Sequence, residues 1–383
     1  WYYYCGRVGH RLSLWPLHFV GAFFYIYLKH MKSYYVIGLM SGTSLDGVDI
    51  CYVKFKYHDN WLFKMKRCET IKYDKYWYKK LSTAYLKDDK EIQNINIEYS
   101  IFLSEIVNDF IKKNKIKKID FVSSHGHTIF HQPERAYTLQ IGNLINLKKL
   151  IKIPLICDFR TDDIKLNGQG APLVPIGDLL LFKKYTYCLN LGGFANISEK
   201  QGDEILAYDI CAVNTVLNHY TRQLGKEYDD KGRIAAGGVL NKELLHQLNN
   251  LQFYSLKPPK SLGIEWVKAE VLPILNSVEL PIPDILHTYV IHVAQQVTKV
   301  LDPRENAKVL VTGGGAFNDF LIQKFKAYSK CEFVIPENRI IDFKEALIFG
   351  LLGVLKLEGK VNVLSLVTGA SKDHASGRIY TPS

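Results

Sequence analysis

None of the seven cysteines forms a C-x-x-C pair. Cys5, Cys51, Cys68, Cys157, Cys188, Cys211 and Cys331 stand singly, most of them inside apolar runs. That excludes a zinc ribbon and argues against a disulfide framework; they read as small core residues in a reducing compartment. There is no G-x-x-x-x-G-K-[ST] stretch, so the chain is not a P-loop enzyme. Acids are in deficit: 38 Asp and Glu against 49 Lys and Arg give a net charge of +11. Such a charge can serve nucleic acid, a membrane surface or an acidic small substrate. No zinc-finger spacing or aromatic-basic RNA-binding signature accompanies it. The lysines are scattered, mostly on helix faces, and read as a solvated surface, so neither nucleic acid nor a membrane is an expected partner. The apolar stretch Leu12–Leu28 is interrupted by Pro16, His18 and Gly21. It is short of the roughly 20 residues a spanning helix needs.

What is present describes a globular chain. Its 383 residues suggest two domains, and 47% hydrophobic with 23% charged residues is ordinary for a packed protein. Residues 1–30 hold three cations and no acid, and Met31 leads straight into a strand. The expectation is that the fold starts at Met31, with 1–30 an extension outside it; a signal or membrane anchor is the competing reading.

From Tyr34 the pattern is strand (Tyr34–Met40), glycine turn (Ser41–Gly47), strand (Val48–Lys56). Helical periodicity covers Glu98–Lys113, with Ile101, Ile106 and Phe110 on one face. A strand over Ile119–Ser123 leads into His125-Gly126-His127, and Ile153–Cys157 precedes Asp158-Phe159-Arg160. Residues 167–172 must be a loop. The second half restarts alike: strand Tyr185–Leu191, turn Gly192-Gly193, strand Phe194–Ser198. Helices are expected over Pro283–Leu301, from Asn318, and over Phe343–Leu357, with a strand over Lys308–Val311 before Gly313-Gly314-Gly315. Alternating strands and helices indicate α/β architecture, and the paired glycine turns suggest a distant internal duplication with a cleft between its halves.

Glycine turns expose backbone N–H groups that phosphate oxygens can approach closely. Gly42, Thr43, Ser44, Leu45, Asp46, Gly47, Val48 and Asp49 add hydroxyls and two carboxylates, the latter suited to Mg²⁺ directly or through water. A plain hairpin uses the same residues. With Gly192 and Gly193 in the second hairpin and Gly313, Gly314 and Gly315 before a late helix, three such elements point to a nucleotide.

Here a resemblance becomes specific. Gly38 to Asp49 is similar, close to residue for residue, to the opening signature of the anhydro-N-acetylmuramic acid kinase family. Matching blocks continue in the family's order through about residues 34 to 370. They include Ser124–Thr128, Asp158-Phe159-Arg160, Gly168–Pro175, Asn190–Ile197, Pro258–Ser261, Gly313–Asn318 and Glu345-Ala346. The resemblance implies a two-domain actin-like ATPase (sugar kinase) fold with a central cleft, taken here as 31–180 and 181–383, with the C-terminal helix packing back on the first domain. It implies ATP and Mg²⁺ as cofactors, the two hairpins (with Asn196) as phosphate loops and the triple-glycine turn near the adenosine. It implies phosphoryl transfer to a small amino sugar, 1,6-anhydro-N-acetylmuramic acid, in cytoplasmic cell-wall recycling, by a homodimer.

Asp209 matches the family's general base, and Asn214 keeps its spacing to it as a candidate substrate contact. Arg160 is the candidate for the sugar's carboxylate, because a guanidinium binds carboxylates through two parallel hydrogen bonds; a salt bridge to Asp158 or Asp162 competes. His125, Gln169 and Glu345 are candidates for sugar hydroxyl and acetamide contacts, though Gln169 would equally shape its loop and Glu345 would equally be a first-turn helix acid. The metal ligands stay open. Two departures stand out: His127 replaces the family's Gln, and Ile210-Cys211-Ala212-Val213 is less glycine-rich than the family's turn. Other readings are another actin-like sugar kinase, a non-enzymatic actin-like ATPase, or a zinc hydrolase built on His125, His127 and His131 with Asp158, since an i, i+2 pair on extended chain points one way.

Overall fold

A computed structural model describes residues 32–42, 45–143, 145–301 and 307–381; the extension 1–30 and the expected phosphate-turn residues Thr43 and Ser44 lie outside the described residues. One strand order occurs twice. In the first sheet β1 (Lys32–Ser41), β2 (Gly47–Tyr57) and β3 (Trp61–Lys72) form an antiparallel meander. On its other side β1 adjoins parallel β4 (Phe121–Gln132), which adjoins parallel β6 (Leu155–Cys157). β5 (Tyr137–Ile141) folds back on β4. In the second sheet β7 (Tyr187–Leu191), β8 (Phe194–Gln201) and β9 (Glu204–Ala212) repeat the meander, and parallel β10 (Lys308–Thr312) and β11 (Glu332–Val334) repeat the extension. The order β3-β2-β1-β4-β6 thus has its counterpart in β9-β8-β7-β10-β11. This duplicated α/β order is that of the actin-like sugar-kinase fold.

β12 (Arg378–Tyr380) returns from the chain's end to pair antiparallel with β6. β3 and β9 were not read from the sequence as strands. β4 runs past the expected end at Ser123, through His125 and His127, to Gln132.

Helices cover both faces of the first sheet. The helix Asp89–Lys113 starts nine residues earlier than its periodicity suggests, because the Asp88 side chain accepts a hydrogen bond from the Glu91 amide and caps it. It buries Ile95, Tyr99, Leu103, Ile106 and Phe110 against the sheet, while Ile101, expected on that face, is exposed. On the opposite face lies the helix Asn338–Leu357. Its backbone kinks at Phe343, where the sequence placed its start. A Cβ at Gly38 would lie 2.0 Å from the Ala346 carbonyl oxygen, so glycine in β1 lets the two backbones touch. Ser123 Oγ donates to the Phe349 carbonyl at 2.6 Å. In the same buried seam Lys344 pairs with Asp178 at 2.7 Å; removing either partner would leave a buried charge uncompensated, at about 3–5 kcal/mol. The second sheet rests on the helix Ile282–Lys299, which buries Ile285, Tyr289, Val293 and Val297. No described helix is long and apolar enough to cross a membrane.

Candidate active site

The candidate residues gather in two sets at strand ends, where open α/β sheets place their ligands. The first set belongs to the first sheet. At the β1–β2 turn Leu45 is left-handed (φ 61°) and its amide donates to the Gly42 carbonyl at 3.4 Å. Asp46 is exposed; Asp49 is half-buried and accepts from Thr70 Oγ1 at 2.6 Å. Burial, with the nearby acids Glu345, Asp342 and Asp46, pushes the Asp49 carboxyl up to about 6.

Arg160 follows β6 and lies between two elements of this set. Its Nε–H donates to His125 Nε2 at 3.0 Å and its Nη1 to the Gly170 carbonyl at 2.6 Å. Neither acid proposed as its partner takes it: Asp158 pairs with Arg378 at 2.9 Å, and Asp162 lies 3.9 Å from Lys165. Burial lowers the Arg160 guanidinium to about 10, with Glu345 and Asp163 acting in the opposite direction. His125 is buried, and burial together with the Arg160 charge depresses its pKa well below the usual imidazole range. The ring is therefore neutral. With Nε2 accepting from Arg160, Nδ1 carries the proton and donates to the Gly126 carbonyl at 2.9 Å.

The 167–172 loop is held from behind. Asp163 accepts from the Gly170 amide at 2.6 Å and from Thr368 Oγ1 at 2.7 Å, while the Gln169 amide donates to the Thr368 carbonyl at 2.7 Å. Asp163 and Thr368 escaped the sequence reading; an acid three residues after Arg160 was the available signal. The Gln169 side chain itself is exposed. Glu345 is open to solvent yet walled by protein; that crowding raises its pKa, while Lys344 and Arg160 act in the opposite direction.

The histidines do not converge. Gly126, at φ +78°, breaks the strand's alternation. His125 packs tilted against Phe349, ring centroids 4.6 Å apart, on the side of the helix Asn338–Leu357. His127 lies by Tyr99 and Tyr73 on the other face, with Nδ1 2.8 Å from Ser41 Oγ. Asp158 is held by Arg378. The expected i, i+2 convergence fails, and no group of three or more metal-ligating side chains forms among the described residues.

The second set surrounds the β7–β8 turn. The carbonyls of Gly192 and Gly193 accept from the amides of Asn214 and Val213, at 3.3 and 2.8 Å, where the helix Asn214–Gln223 begins. Asn214 Nδ2 donates to the Leu191 carbonyl at 3.0 Å, so this residue, expected at the sugar, lies against the glycine turn. The triple-glycine turn comes to the same place. A Cβ on Gly313, itself at φ +79°, would meet Asn190 Oδ1 at 2.6 Å, and one on Gly315 would meet Leu191 Cβ at 2.7 Å. Asn196, on β8, is exposed and pairs in register with Asp209. Asp209 lies on β9, which runs on through Ile210–Ala212, where a turn was expected between Asp209 and Asn214. Its Oδ2 accepts from the Leu262 amide at 2.9 Å, and its own amide donates to the Lys260 carbonyl at 2.9 Å. Burial raises its pKa above the ordinary carboxylate range, against the opposing effect of the Leu262 N–H. The helix Asn338–Leu357 touches β1 and β4 of one sheet and β10 and the Gly314–Phe317 segment of the other, so it bridges the two sets.

A separate groove of about 960 Å³ on the first sheet is lined by cations, among them Lys54, Lys64, Lys66, Lys118 and Arg339. It offers neither glycine turns nor carboxylates, and the strand ends are the better place for a phosphoryl-transfer site.

Comparison with known proteins agrees with this geometry. The sequence profile of the family "Anhydro-N-acetylmuramic acid kinase" matches residues 34–382. A curated relative of that name from Shewanella oneidensis is 34% identical over 375 residues, covering 91% of this chain and 98% of its own. Another, from Sulfurimonas denitrificans, is 29% identical over 385 residues, covering 91% and 100%. Among solved structures, the activator of 2-hydroxyisocaproyl-CoA dehydratase from Clostridium difficile with bound ADPNP aligns over 83% of this chain and 93% of its own, at 14% identity and a TM-score of 0.41. That likeness is too slight to weigh beside the strand order.

Proposed function

Because the chain belongs to the anhydro-N-acetylmuramic acid kinase family, we propose that its two strand-end sets together open 1,6-anhydro-N-acetylmuramic acid with water and phosphorylate O6 from ATP. The products are N-acetylmuramic acid 6-phosphate and ADP. Asp209 carries this reading: a carboxylate fixed by the Leu262 amide, raised in pKa, on the strand whose end pairs with β8 beside the Gly192–Gly193 turn. A base so poised takes a proton from the water attacking C1. The C1–O6 bond breaks, and the electron pair left on O6 is taken up by the γ-phosphoryl group, whose bond to ADP breaks in turn. No second carboxyl group is needed to protonate O6, unlike ordinary glycoside hydrolysis.

The remaining roles follow from placement. Arg160, held at Nε by neutral His125 and at Nη1 by the Gly170 carbonyl, presents its remaining guanidinium edge to the sugar's carboxylate. Glu345 and the 167–172 loop contact the sugar's hydroxyl and acetamide groups. Gly192, Gly193 and Gly313–Gly315 line the path of ATP, with Asn214 bracing the turn and Asn196 beside it. The hairpin 42–49 faces the phosphates. Asp46 and Asp49 would suit a Mg²⁺ that keeps most of its waters and takes one or two carboxylates, since beside burial the acids Glu345, Asp342 and Asp46 also raise the Asp49 pKa. Bound there, Mg²⁺ would neutralise charge on the phosphate oxygens. The halves 31–180 and 181–383 would close on the two substrates, in a cytoplasmic homodimer serving cell-wall recycling.

The test is the reaction run with ATP and the anhydro sugar in heavy-oxygen water. One solvent oxygen should appear at C1, with inversion there, and none in the phosphate. Label in the phosphate would overturn the proposed bond order.

A further inference from the structure

On the meander of the first sheet, Cys51 of β2 lies directly opposite Cys68 of β3, and their sulfurs are 2.9 Å apart. Both are free thiols. Opposed residues in an antiparallel pair have Cα atoms about 4.5–5.5 Å apart, within the roughly 4.4–6.8 Å that a disulfide spans. Cys157, Cys188 and Cys211 are also buried in strands, but none lies opposite another cysteine. We propose that Cys51 and Cys68 are a redox modification site that closes to a reversible cross-strand disulfide when the protein meets a peroxide.

Exposure sets the order of events. Cys68 is half-buried and Cys51 fully buried, so the oxidant meets Cys68 first. Cys51 is shielded from solvent with its sulfur 2.9 Å from that of Cys68, so it is placed for the second step. The Cys68 thiolate attacks one peroxide oxygen; the O–O bond breaks, leaving a sulfenic acid and, after protonation, one water. The Cys51 sulfur then attacks the Cys68 sulfur, the S–O bond breaks, and a second water leaves with the Cys51 proton. Two thiols lose two electrons, and one peroxide becomes two waters. A small thiol reverses the bond by exchange.

The bond would be felt nearby. The next pair on the same face is Asp49 opposite Thr70, already hydrogen-bonded at 2.6 Å. Drawing the sulfurs from 2.9 Å to about 2.05 Å pulls β3 toward β2 one pleat from Asp49. On the other side, a β-bulge between Tyr52 and Val53 absorbs part of the shift. The effect on turnover rests on the proposed kinase function; the disulfide does not.

Full-length reduced protein is treated with hydrogen peroxide, alkylated, and mapped by mass spectrometry, alongside Cys68→Ser. The expected result is a Cys51–Cys68 cross-linked peptide, lighter by two hydrogens, abolished by dithiothreitol and absent from the variant. Turnover should fall at least twofold with cross-linking, return on reduction, and stay insensitive to peroxide in Cys68→Ser. Continued alkylation of both thiols, or Cys68 ending as a sulfinic acid with Cys51 free, would overturn the proposal. A cross-link formed with turnover unchanged would overturn the coupling to Asp49. A cross-link in protein that never turns over would support the site and count against the kinase reading.

Discussion

Replacing Asp209 by Asn removes a base and almost nothing else. The side chain keeps its shape and an oxygen able to accept from the Leu262 amide, now 2.9 Å from Oδ2, so the end of β9 should hold its place. Stability should not suffer. The folded pKa of Asp209 is raised, so whatever stability its protonated form contributes is present at low pH and lost as pH rises. Near neutrality the amide should therefore melt at the same temperature or slightly higher. Catalysis is another matter. A positioned general base contributes about 10²–10⁴ in rate, or about 2.7–5.4 kcal/mol at roughly 1.36 kcal/mol per decade. Kinetics at saturating ATP and sugar should show kcat down at least a hundredfold, with KM for the sugar little changed. The wild-type profile should fall on the acid side as Asp209 takes up a proton; the variant's residual rate should lack that limb. Near-normal turnover, or a lost activity matched by a lowered Tm, would refute the assignment.

Gly193→Val places a Cβ 2.7 Å from Thr215 Oγ1, at the turn proposed to face ATP; KM for ATP should rise while the fold persists, and unchanged ATP kinetics would take this turn out of the nucleotide site. His127→Gln should retain the hydrogen bond to Ser41 and keep turnover within about tenfold, under roughly 1.4 kcal/mol. Burial lowers His127 to about 4, so its stabilising contribution is full above about 6.5 and lost as pH falls toward 4. Melting curves of the Gln variant should accordingly be less acid-sensitive across that window, and identical acid sensitivity would contradict the assignment. Asp49→Asn should act with the opposite sign: a carboxyl raised to about 6 stabilises below about 4 and loses that as pH rises through 6, so the variant should gain in Tm at pH 7.5 and not at pH 4. A gain at both would show that the effect is not titration.

Much of the architecture was legible because the glycine turns and apolar runs mark strand ends directly. β1, β2, β7, β8 and β10 needed only an apolar run beside a glycine turn. β3 escaped because it is an edge strand, with Lys64, Lys66, Arg67 and Glu69 breaking up its apolar residues. β9 escaped because its last residues, Ile210–Ala212, read as the family pattern's turn between Asp209 and Asn214. Side-chain direction in β4 depended on one backbone angle at Gly126, which no spacing rule reveals. The candidate site divides in the same way. Its glycines and Asp209 could be named from the sequence. The Asp163–Thr368 brace joins residues 205 positions apart, and the Arg160–His125 contact joins residues 35 apart; both arise only from folding.

The return of the chain's end to the first sheet also sets an order of assembly. During synthesis β1, β2 and β4 emerge first, with the helix Asp89–Lys113 to cover one face. Their other face waits for the helix Asn338–Leu357, and the edge at β6 waits for β12 at Arg378–Tyr380. The second sheet has its own helix Ile282–Lys299 on one face, although Cys188 and Leu310 on its other face also pack into the cluster that the helix Asn338–Leu357 completes. Domains ordinarily fold in the order they leave the ribosome. Here the first half made is the last to be sealed, and an apolar face built around Val36, Val53 and Phe55 stays open until the helix Asn338–Leu357 arrives. Long-range closure of this kind is slow. A nascent or truncated chain ending before residue 338 would carry that face uncovered, making it the natural place for a chaperone to hold.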